Sequence, residues 1–460
     1  MIRTIERPAL DPAPGRVVRS RLRISLDASL FEGVLAELVG ACSSSAVLTA
    51  WALYLRLPAA AVGVLGSLPF AAQALHLPGA WAASIFGNRN AALWAVGLSR
   101  QVPLVLCALP FAPLPLAAKQ AVLIGAATLA TCLAVAGNNA WTGWMGELVP
   151  PRIRGRYFGR RGAFCALGAA AGGLGAGLAL DWGGARGGGF DARAAGPALA
   201  ALSLGGCLFG AATWALLARQ HQPADRRAAP RTPSLPDVLS PLRSGPARRL
   251  LAFQAVWCAS SGLSAAFYPL HMVQTLGMGF TQVAFYNTAL AAARMVAAPL
   301  FGRALDRRGA PSVLRMAAFG LCLSPLLWMF PRAGMLWPLA LDAALCGALL
   351  AAQSLSTFSL SLSLAAPHRS SFHLAAFAVA GGLATGLGAA AGGLLYGRLP
   401  AQAHLLGFVL GPSHLLFLVG DAGRLLAALL ALRIAAATAS AAEPAPAPPA
   451  PLAPAGRRAA

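Results

Sequence analysis

Charged residues are scarce in this sequence. Only 11% of its 460 residues are Asp, Glu, Lys or Arg, whereas 57% are hydrophobic. A soluble domain carries about 25% charged residues, which cover its surface, so the composition excludes an ordinary soluble protein. Apolar runs of about twenty residues recur along nearly the whole chain, and such runs are typical of transmembrane helices. We therefore predict a multi-pass membrane protein.

Several motifs that carry chemistry are also absent. The chain holds no G-x-x-x-x-G-K-[ST] stretch, which argues against an ATP-driven pump. Its eight cysteines fall in or beside apolar runs without any C-x-x-C spacing, which argues against a metal site or a disulfide framework. Its seven histidines are scattered singly, which argues against an intramembrane enzyme. We expect no cofactor, no metal and no enzymatic activity.

Lysine is nearly missing, because Lys119 is the only one among 36 basic residues. We attribute this bias to the composition of the genome. The formal net charge of +22 would indicate a nucleic-acid partner in a soluble protein. We reject that partner because the arginines lie between apolar runs, where membrane topology explains them better. Residues 1–27 are polar and lack the apolar core of a cleavable signal peptide.

Twelve apolar runs divide the chain. We predict that the membrane-spanning segments are residues 31–55, 59–85, 91–110, 117–146, 162–181, 197–218, 250–273, 281–302, 312–330, 335–362, 372–396 and 413–436.

Basic residues alternate between the two sides of this arrangement. The termini and even-numbered gaps hold twenty-seven of them, and the odd-numbered gaps hold six. Loops that stay in the cytoplasm are enriched in Lys and Arg. We therefore expect both termini in the cytoplasm, and a location in the cytoplasmic (inner) membrane of a bacterium.

The two halves of the chain resemble each other. The octapeptide LGAAAGGL occurs at 167–174 and again at 387–394, and a Leu-Ala pair followed by a Cys- and Ser-containing tetrapeptide occurs near residues 35 and 251. Both matches have nearly the same offset, which indicates parallel repeats. We expect a cytoplasmic N-terminal arm at 1–30, six-helix bundles at 31–218 and 250–437, a cytoplasmic linker at 219–249, and a disordered Pro/Ala tail at 438–460.

Specific segments point to a family. Residues 302–309 read GRALDRRG and match the loop signature G-x-x-x-D-R-x-G, and residues 138–141 and 266–269 are similar to a largely uncharacterised bacterial branch. The chain thus resembles the major facilitator superfamily over residues 30–437. The resemblance implies an all-α fold of twelve helices in two pseudo-symmetric bundles. It also implies a monomer in membrane lipid that moves a small molecule by alternating access, with a proton as the coupling ion.

The resemblance further implies a gate between the halves. Asp306, placed in a loop after a helix end, would face the start of the fifth span and the Arg160/Arg161 pair. The corresponding loop of the first half, at 86–90, has no acid, so we expect a gate on one side only. The gate residues implied in this way are Gly302, Asp306, Arg307, Gly309, Arg160 and Arg161.

The fifth span follows a basic segment. Arginines at 152–161 lie among Pro150, Pro151 and Gly155, which we expect to prevent a continuous helix and to form a cytoplasmic hairpin. The glycines of the repeated octapeptide would let helices approach closely, either in static packing or as a sliding surface. The glycines expected to pack in this way are Gly168, Gly172, Gly173, Gly388, Gly392 and Gly393.

Ionisable and amide groups inside spans are candidates for binding. Glu37 is the first candidate for a proton or cation, with a structural ion pair as the alternative. Asp342 is the second, unless it lies at the membrane surface. Arg294 would pair with one of these acids or bind an anion, whereas Arg100 and the Asp421/Arg424 pair are expected to be structural. Amide and indole groups in mid-span need partners, and the candidates of that kind are Asn138, Asn139 and Trp257.

The sequence favours a secondary active transporter over other classes of membrane protein. Helices with apolar, aromatic-poor faces favour export of amphipathic compounds. Uptake of a metabolite by symport remains the alternative within transporters. A non-transporting receptor or a membrane enzyme on the same scaffold is the alternative outside them.

Overall fold

A computed structural model describes residues 14–186, 189–191, 193–221, 244–331, 334–364, 370–405 and 408–440. Nearly all of these residues are helical, since a backbone in lipid must satisfy its hydrogen bonds internally. The helices of the first half are α1 Pro14–Cys42, α2 Ser45–Tyr54, α3 Ala59–Ala71, α4 His76–Phe86, α5 Asn88–Ser99, α6 Leu104–Ala108, α7 Leu116–Leu148, α8 Pro151–Gly184 and α9 Gly196–Ala218. The helices of the second half are α10 Gly245–Ala265, α11 Phe267–Gln274, α12 Phe280–Arg308, α13 Ala310–Leu321, α14 Ser324–Leu327, α15 Trp337–Ser363, α16 Ser370–Tyr396 and α17 Pro412–Ser440.

The predicted fold class is confirmed. Among the described residues, 11 helical segments are long and apolar enough to cross a membrane. The second predicted span, 59–85, is the one missing from these eleven, because it is broken. It holds the shorter apolar helix Ala59–Leu75, whose last turn is a 3₁₀-helix, and then α4. Pro69 lies inside α3, where it lacks the N–H that a regular helix would use.

The two halves repeat the same local structure. A two-stranded hairpin precedes the last helix of each, β1 Ala185–Arg186 with β2 Gly189–Phe190, and β3 Ala403–Leu405 with β4 Phe408–Leu410. Gly87 and Gly309 occupy matching positions, with φ of 81° and 77°. This region of backbone favours glycine and stops α4 and α12 before the next helix begins. These repeats support the interpretation of the octapeptide as part of a duplication.

Glycines of the repeated octapeptide bring equivalent helices together. A Cβ at Gly168 or Gly172 would meet Val34 or Leu38 of α1. A Cβ at Gly388 or Gly392 would meet the backbone of α10 at Ala259 or Leu263, and one at Gly393 would meet α3 at Ala59 and Gly63. Gly173 differs from the prediction, because no described atom lies within 4 Å of its would-be Cβ. The same octapeptide therefore packs on both faces in α16 but on one face in α8.

The predicted hairpin at 152–161 is wrong. α7 ends at Leu148, Val149 is extended, and α8 starts at Pro151 and continues without a break to Gly184. Proline is well suited to the first turn of a helix, where its missing N–H has no partner to lose. One internal glycine, Gly155, costs a helix only about 1 kcal/mol. The arginines of this segment therefore belong to the first turns of α8.

Three predicted boundaries also change. Residues 14–30 of the predicted arm form the beginning of α1, which continues into the membrane. Residues 219–221 follow α9, residues 245–249 begin α10, and 438–440 end α17. The rest of the predicted linker, at 222–243, and of the predicted tail, at 441–460, lies outside the described residues.

The beginnings and ends of the halves lie at one end of the molecule, which we call the terminal end. Near the start of α1, Ser25 accepts a hydrogen bond from the His221 N–H that follows α9. Ala247 at the start of α10 packs in one cluster with Ile434 near the end of α17. We call the opposite end, where α3 and α12 begin, the far end.

Candidate functional site

The two bundles meet at the far end. A Cβ at Gly177 of α8 would touch Phe280 and Thr281 of α12, and one at Gly63 of α3 would touch Gly393 of α16. Small residues allow such close approach of helices in lipid. Further towards the terminal end, α8 and α12 leave a cavity of about 780 Å³ between them. We call it the inter-bundle cavity.

The wall of the inter-bundle cavity is mostly Ala, Gly and Leu from α1, α2, α8 and α12. Glu37 of α1 is the only acid among its lining residues, and no basic residue lines it. Asn287 of α12, which sequence reasoning missed, is exposed in the same wall. Within the described part of the chain, the Glu37 carboxylate forms neither an ion pair nor a hydrogen bond. The predicted candidate thus lines a cavity between the bundles.

A carboxylate links the two bundles at the far end. Asp181 of α8 accepts hydrogen bonds from the backbone N–H groups of Phe280, at 2.6 Å, and Thr281, at 2.8 Å. These N–H groups belong to the first turn of α12, where no intrahelical acceptor is present and the helix dipole favours a negative charge. Gly279 makes the approach possible, because a Cβ there would lie 2.9 Å from an Asp181 oxygen. The Asp181 contact therefore joins α8 of the first half to α12 of the second half at the far end, where these two helices touch.

The residues of the predicted gate lie apart at the terminal end. Asp306 is inside α12 and exposed, and this corrects the prediction that it follows a helix end, since the helix continues until Gly309 ends it. It makes no ion pair with any described residue. Arg160 is exposed and lies over the ring of Phe164, at 5.7 Å from the centroid. Arg307 is exposed, and no described atom lies within 4 Å of a would-be Cβ at Gly302.

Arg161 is held by another acid. Glu32 of α1 is buried and forms ion pairs with Arg161, at 3.1 Å, and with Arg100, which directly follows α5, at 3.0 Å. Arg161 also donates to the Ser29 carbonyl and lies over the Trp141 ring, at 4.5 Å from the centroid. We call Glu32, Arg100 and Arg161 the charge triad. Sequence reasoning assigned Arg100 a structural role but missed Glu32, because the first span was predicted to begin at residue 31, only one residue before it.

A second cavity, of about 570 Å³, lies inside the first bundle. We call it the N-bundle cavity. It separates α1 from α7, and Asn138 is exposed in its wall, whereas the next residue, Asn139, donates to the carbonyl of His76 and ties α7 to α4. One predicted amide therefore faces a cavity and the other joins two helices.

Asp342 is fully inside the second bundle. Its carboxylate accepts hydrogen bonds from the hydroxyls of Tyr286 and Ser324, both at 2.6 Å. It is buried and does not line either cavity described above. Asp342 is therefore not at the protein surface, which was the alternative to a binding role, and its side chain lies among α12, α14 and α15.

Two other candidates lie away from the cavities. Trp257 is buried and stacks on Phe253 in the core of the second bundle, with the ring centroids 5.9 Å apart. Arg294 is exposed on α12 and donates to Ser354 of α15, at 3.3 Å. It pairs with neither Glu37 nor Asp342, because its side chain extends towards α15.

No family model and no curated protein sequence matches this chain. Its fold does match solved structures. The nucleoside transporter NupG has a TM-score of 0.65 and 13% identity, covering 90% of this chain and 98% of its own. A bacterial homologue of the iron transporter ferroportin in the inward-facing state has a TM-score of 0.63 and 15% identity, covering 90% and 98%. An inward-facing bacterial homologue of the lysosomal transporter Spinster has a TM-score of 0.56 and 15% identity, covering 94% of this chain and 96% of its own. The chain shares the fold of these solved transporters.

Proposed function

We propose that this protein is a secondary active transporter that moves a small molecule by alternating access. The observation that carries the proposal is the difference between the two ends. On the side of α8 and α12, the bundles touch at the far end and separate around the inter-bundle cavity towards the terminal end, whereas α3 and α16 stay in contact as far as Gln73 and Gly382. A fold open on one side of a central cavity suits a transporter, and the similar structures named above are transporters. Their substrates differ and do not select one for this chain.

The gate works at both ends in turn. Asp181 stabilises the closed far end through the first turn of α12, so this contact breaks when the far end opens. Asp306 approaches the start of α8 when the terminal end closes, and there it competes with Glu32 for Arg161 or pairs with Arg160. Carboxylates at helix N-termini contribute about 0.3–2 kcal/mol, which biases one state without trapping it.

Glu37 is the coupling site in this proposal. An ionised carboxylate in an apolar wall is costly unless a cation or a proton neutralises it. Glu37 has no basic partner in the cavity wall, so a proton or a cationic solute takes that place. Competition between the two for one carboxylate couples proton entry to export. The apolar wall favours an amphipathic substrate.

The topology follows from the same account. Both termini and the segment between α9 and α10 are cytoplasmic, the membrane is the inner membrane of a bacterium, and the unit is a monomer of two bundles, α1–α9 and α10–α17. A reporter that is active only in the cytoplasm should be active when it is fused after Arg231. A periplasmic location of that fusion would reverse the proposed orientation of every helix.

Transport is tested with purified protein in liposomes. Vesicles with an imposed pH gradient and the amphipathic cation ethidium should show solute movement and proton counterflow, read from an entrapped pH dye. Glu37→Gln should abolish the dependence of solute movement on the pH gradient. Asp191→Asn removes a similar charge near the β1–β2 hairpin and should behave as wild type. Movement of solute in one direction and of protons in the same direction would favour uptake by symport, and binding without flux would favour a receptor.

A further inference from the structure

The charge triad has an unequal charge. Glu32 carries one negative charge, and the two arginines that pair with it, at 3.0 and 3.1 Å, carry two positive charges. Glu37 also attracts Arg161 at longer range without forming an ion pair, so the arginine left short of a counter-charge is Arg100. Buried charges are costly unless each is paired. Inside a membrane bundle, a surplus positive charge therefore favours a further anion close by.

The surplus belongs to Arg100. Arg161 has a carboxylate oxygen, the Ser29 carbonyl and the ring of Trp141 around its guanidinium. Arg100 has one Glu32 oxygen, and its Nη1 is buried without a hydrogen-bond partner among the described residues. A buried charged group with an unsatisfied donor, as at Arg100, costs more free energy than one whose donors have partners, as at Arg161.

Arg100 is also part of the wall of the N-bundle cavity. No Asp or Glu lines that cavity, so no second protein carboxylate is available there to Arg100. Asn138 is exposed in the same wall, and its side-chain amide makes no hydrogen bond to the described residues. The remaining wall is largely apolar and includes Trp51 and Leu65.

We propose that the N-bundle cavity is a binding site for a small organic anion, a monovalent carboxylate with an apolar body, which Arg100 and Asn138 hold by its charged end. Guanidinium and amide donors suit a carboxylate, and the apolar wall suits the rest of the molecule. The site is separate from Glu37, which lines the inter-bundle cavity, and it does not depend on transport.

Equilibrium dialysis of the purified full chain tests the site with three ligands of one shape, namely radiolabelled benzoate, benzamide and benzamidine. Wild type should bind benzoate at least tenfold more tightly than neutral benzamide, and benzamidine least of all. Arg100→Gln should weaken benzoate binding at least tenfold and leave benzamide binding unchanged. Arg398→Gln, an exposed arginine beyond α16, should bind as wild type.

Two further variants make the result independent of folding. Arg100→Lys keeps the positive charge and should retain most of the preference for benzoate. Ala134→Leu keeps Arg100 but makes the cavity smaller, so it should weaken the binding of benzoate and of benzamide to the same extent. Equal binding of benzoate and benzamide by wild type would overturn the proposal. Unchanged benzoate binding by a folded Arg100→Gln or by Ala134→Leu would overturn it as well.

Discussion

Glu32 and Glu37 lie five positions apart on α1 and have opposite surroundings. Glu32 is buried between two arginines, whereas Glu37 faces an apolar cavity without a basic partner in the wall. A carboxylate satisfied by two guanidinium groups is a fixed part of the bundle. A carboxylate left to an apolar wall can exchange protons or cations. We therefore expect the first acid to support the fold, and the second is the acid that we propose as the coupling site.

The Glu32→Gln variant should lose much of its stability. Removing one partner of a buried ion pair costs about 3–5 kcal/mol, because the remaining charge stays buried. Here two arginines would remain. The melting temperature of the purified protein in detergent should fall by several degrees, whereas Glu37→Gln should melt close to wild type. Equal melting temperatures for all three proteins would show that the triad does not stabilise the first bundle.

Asp181→Asn should weaken closure of the far end. The change removes the negative charge from the first turn of α12 and replaces a charged acceptor with a neutral one. We expect the open population to rise about fivefold to tenfold, which corresponds to about 1–1.4 kcal/mol. Spin labels at Trp182→Cys and Phe285→Cys, both exposed near that end, report the separation of α8 and α12.

Asp191→Asn is the control for this experiment, since Asp191 bonds within its own loop through the N–H of Arg193. Its distance distribution should match wild type in a cysteine-depleted background. An unchanged distribution in Asp181→Asn would mean that the glycine contacts alone hold the far end closed.

At the scale of elements, the repeated octapeptide gives equivalent glycines different roles. Gly393 in α16 lies against α3, and Gly173 at the matching position of α8 lines the inter-bundle cavity. The first position has no room for a methyl group and the second has open space. The sequence alone could not distinguish them, because the difference arises from which helix stands opposite.

Alanine at these two positions should therefore act in opposite directions. Gly393→Ala forces α16 away from α3, and overpacking of this kind costs about 1–3 kcal/mol. Gly173→Ala meets no described atom and should stabilise α8 by up to about 1 kcal/mol through helix propensity. Thermal unfolding of the two variants in detergent measures the difference. Similar shifts of the melting temperature would contradict the packing described for α16.

The spans could be predicted from the sequence because apolar runs and the positions of arginines depend on local composition. The start of α8 was misjudged because Pro150 and Pro151 were interpreted as breaks rather than as the end of one helix and the start of the next. The rotation of each helix could not be predicted. Asn138 faces a cavity while Asn139 and Trp257 face neighbouring helices, and no period in an almost wholly apolar segment fixes which face points inward.

Contacts between distant segments were also beyond the sequence. Asp181 and Phe280 are 99 positions apart, and Glu32 and Arg161 are 129 apart. Hydropathy identifies such acids as unusual within an apolar segment but does not name their partners. The family resemblance implied an acid at a helix N-terminus between the halves. The structure has such a contact, formed by Asp181 at the far end instead of Asp306 at the terminal end.

At the scale of the whole molecule, the two ends should move in opposite directions. In the proposed cycle, closing the terminal end brings the start of α8 towards the end of α12 and requires the Asp181 contact at the far end to break. We propose that each bundle moves as a packed unit, which would couple the two events and expose the cavity that holds Glu37 to one side of the membrane at a time.

The most direct test of this account measures both ends of one protein in lipid nanodiscs. One spin-label pair at Trp182→Cys and Phe285→Cys reports the far end, and another at Phe164→Cys and Leu300→Cys reports the terminal end. Across a series of pH values and with ethidium present, we predict that one distance shortens whenever the other lengthens, and that Asp181→Asn shifts both pairs together towards the state open at the far end. Fixed distances at both ends under every condition, or two ends that open and close together, would contradict alternating access.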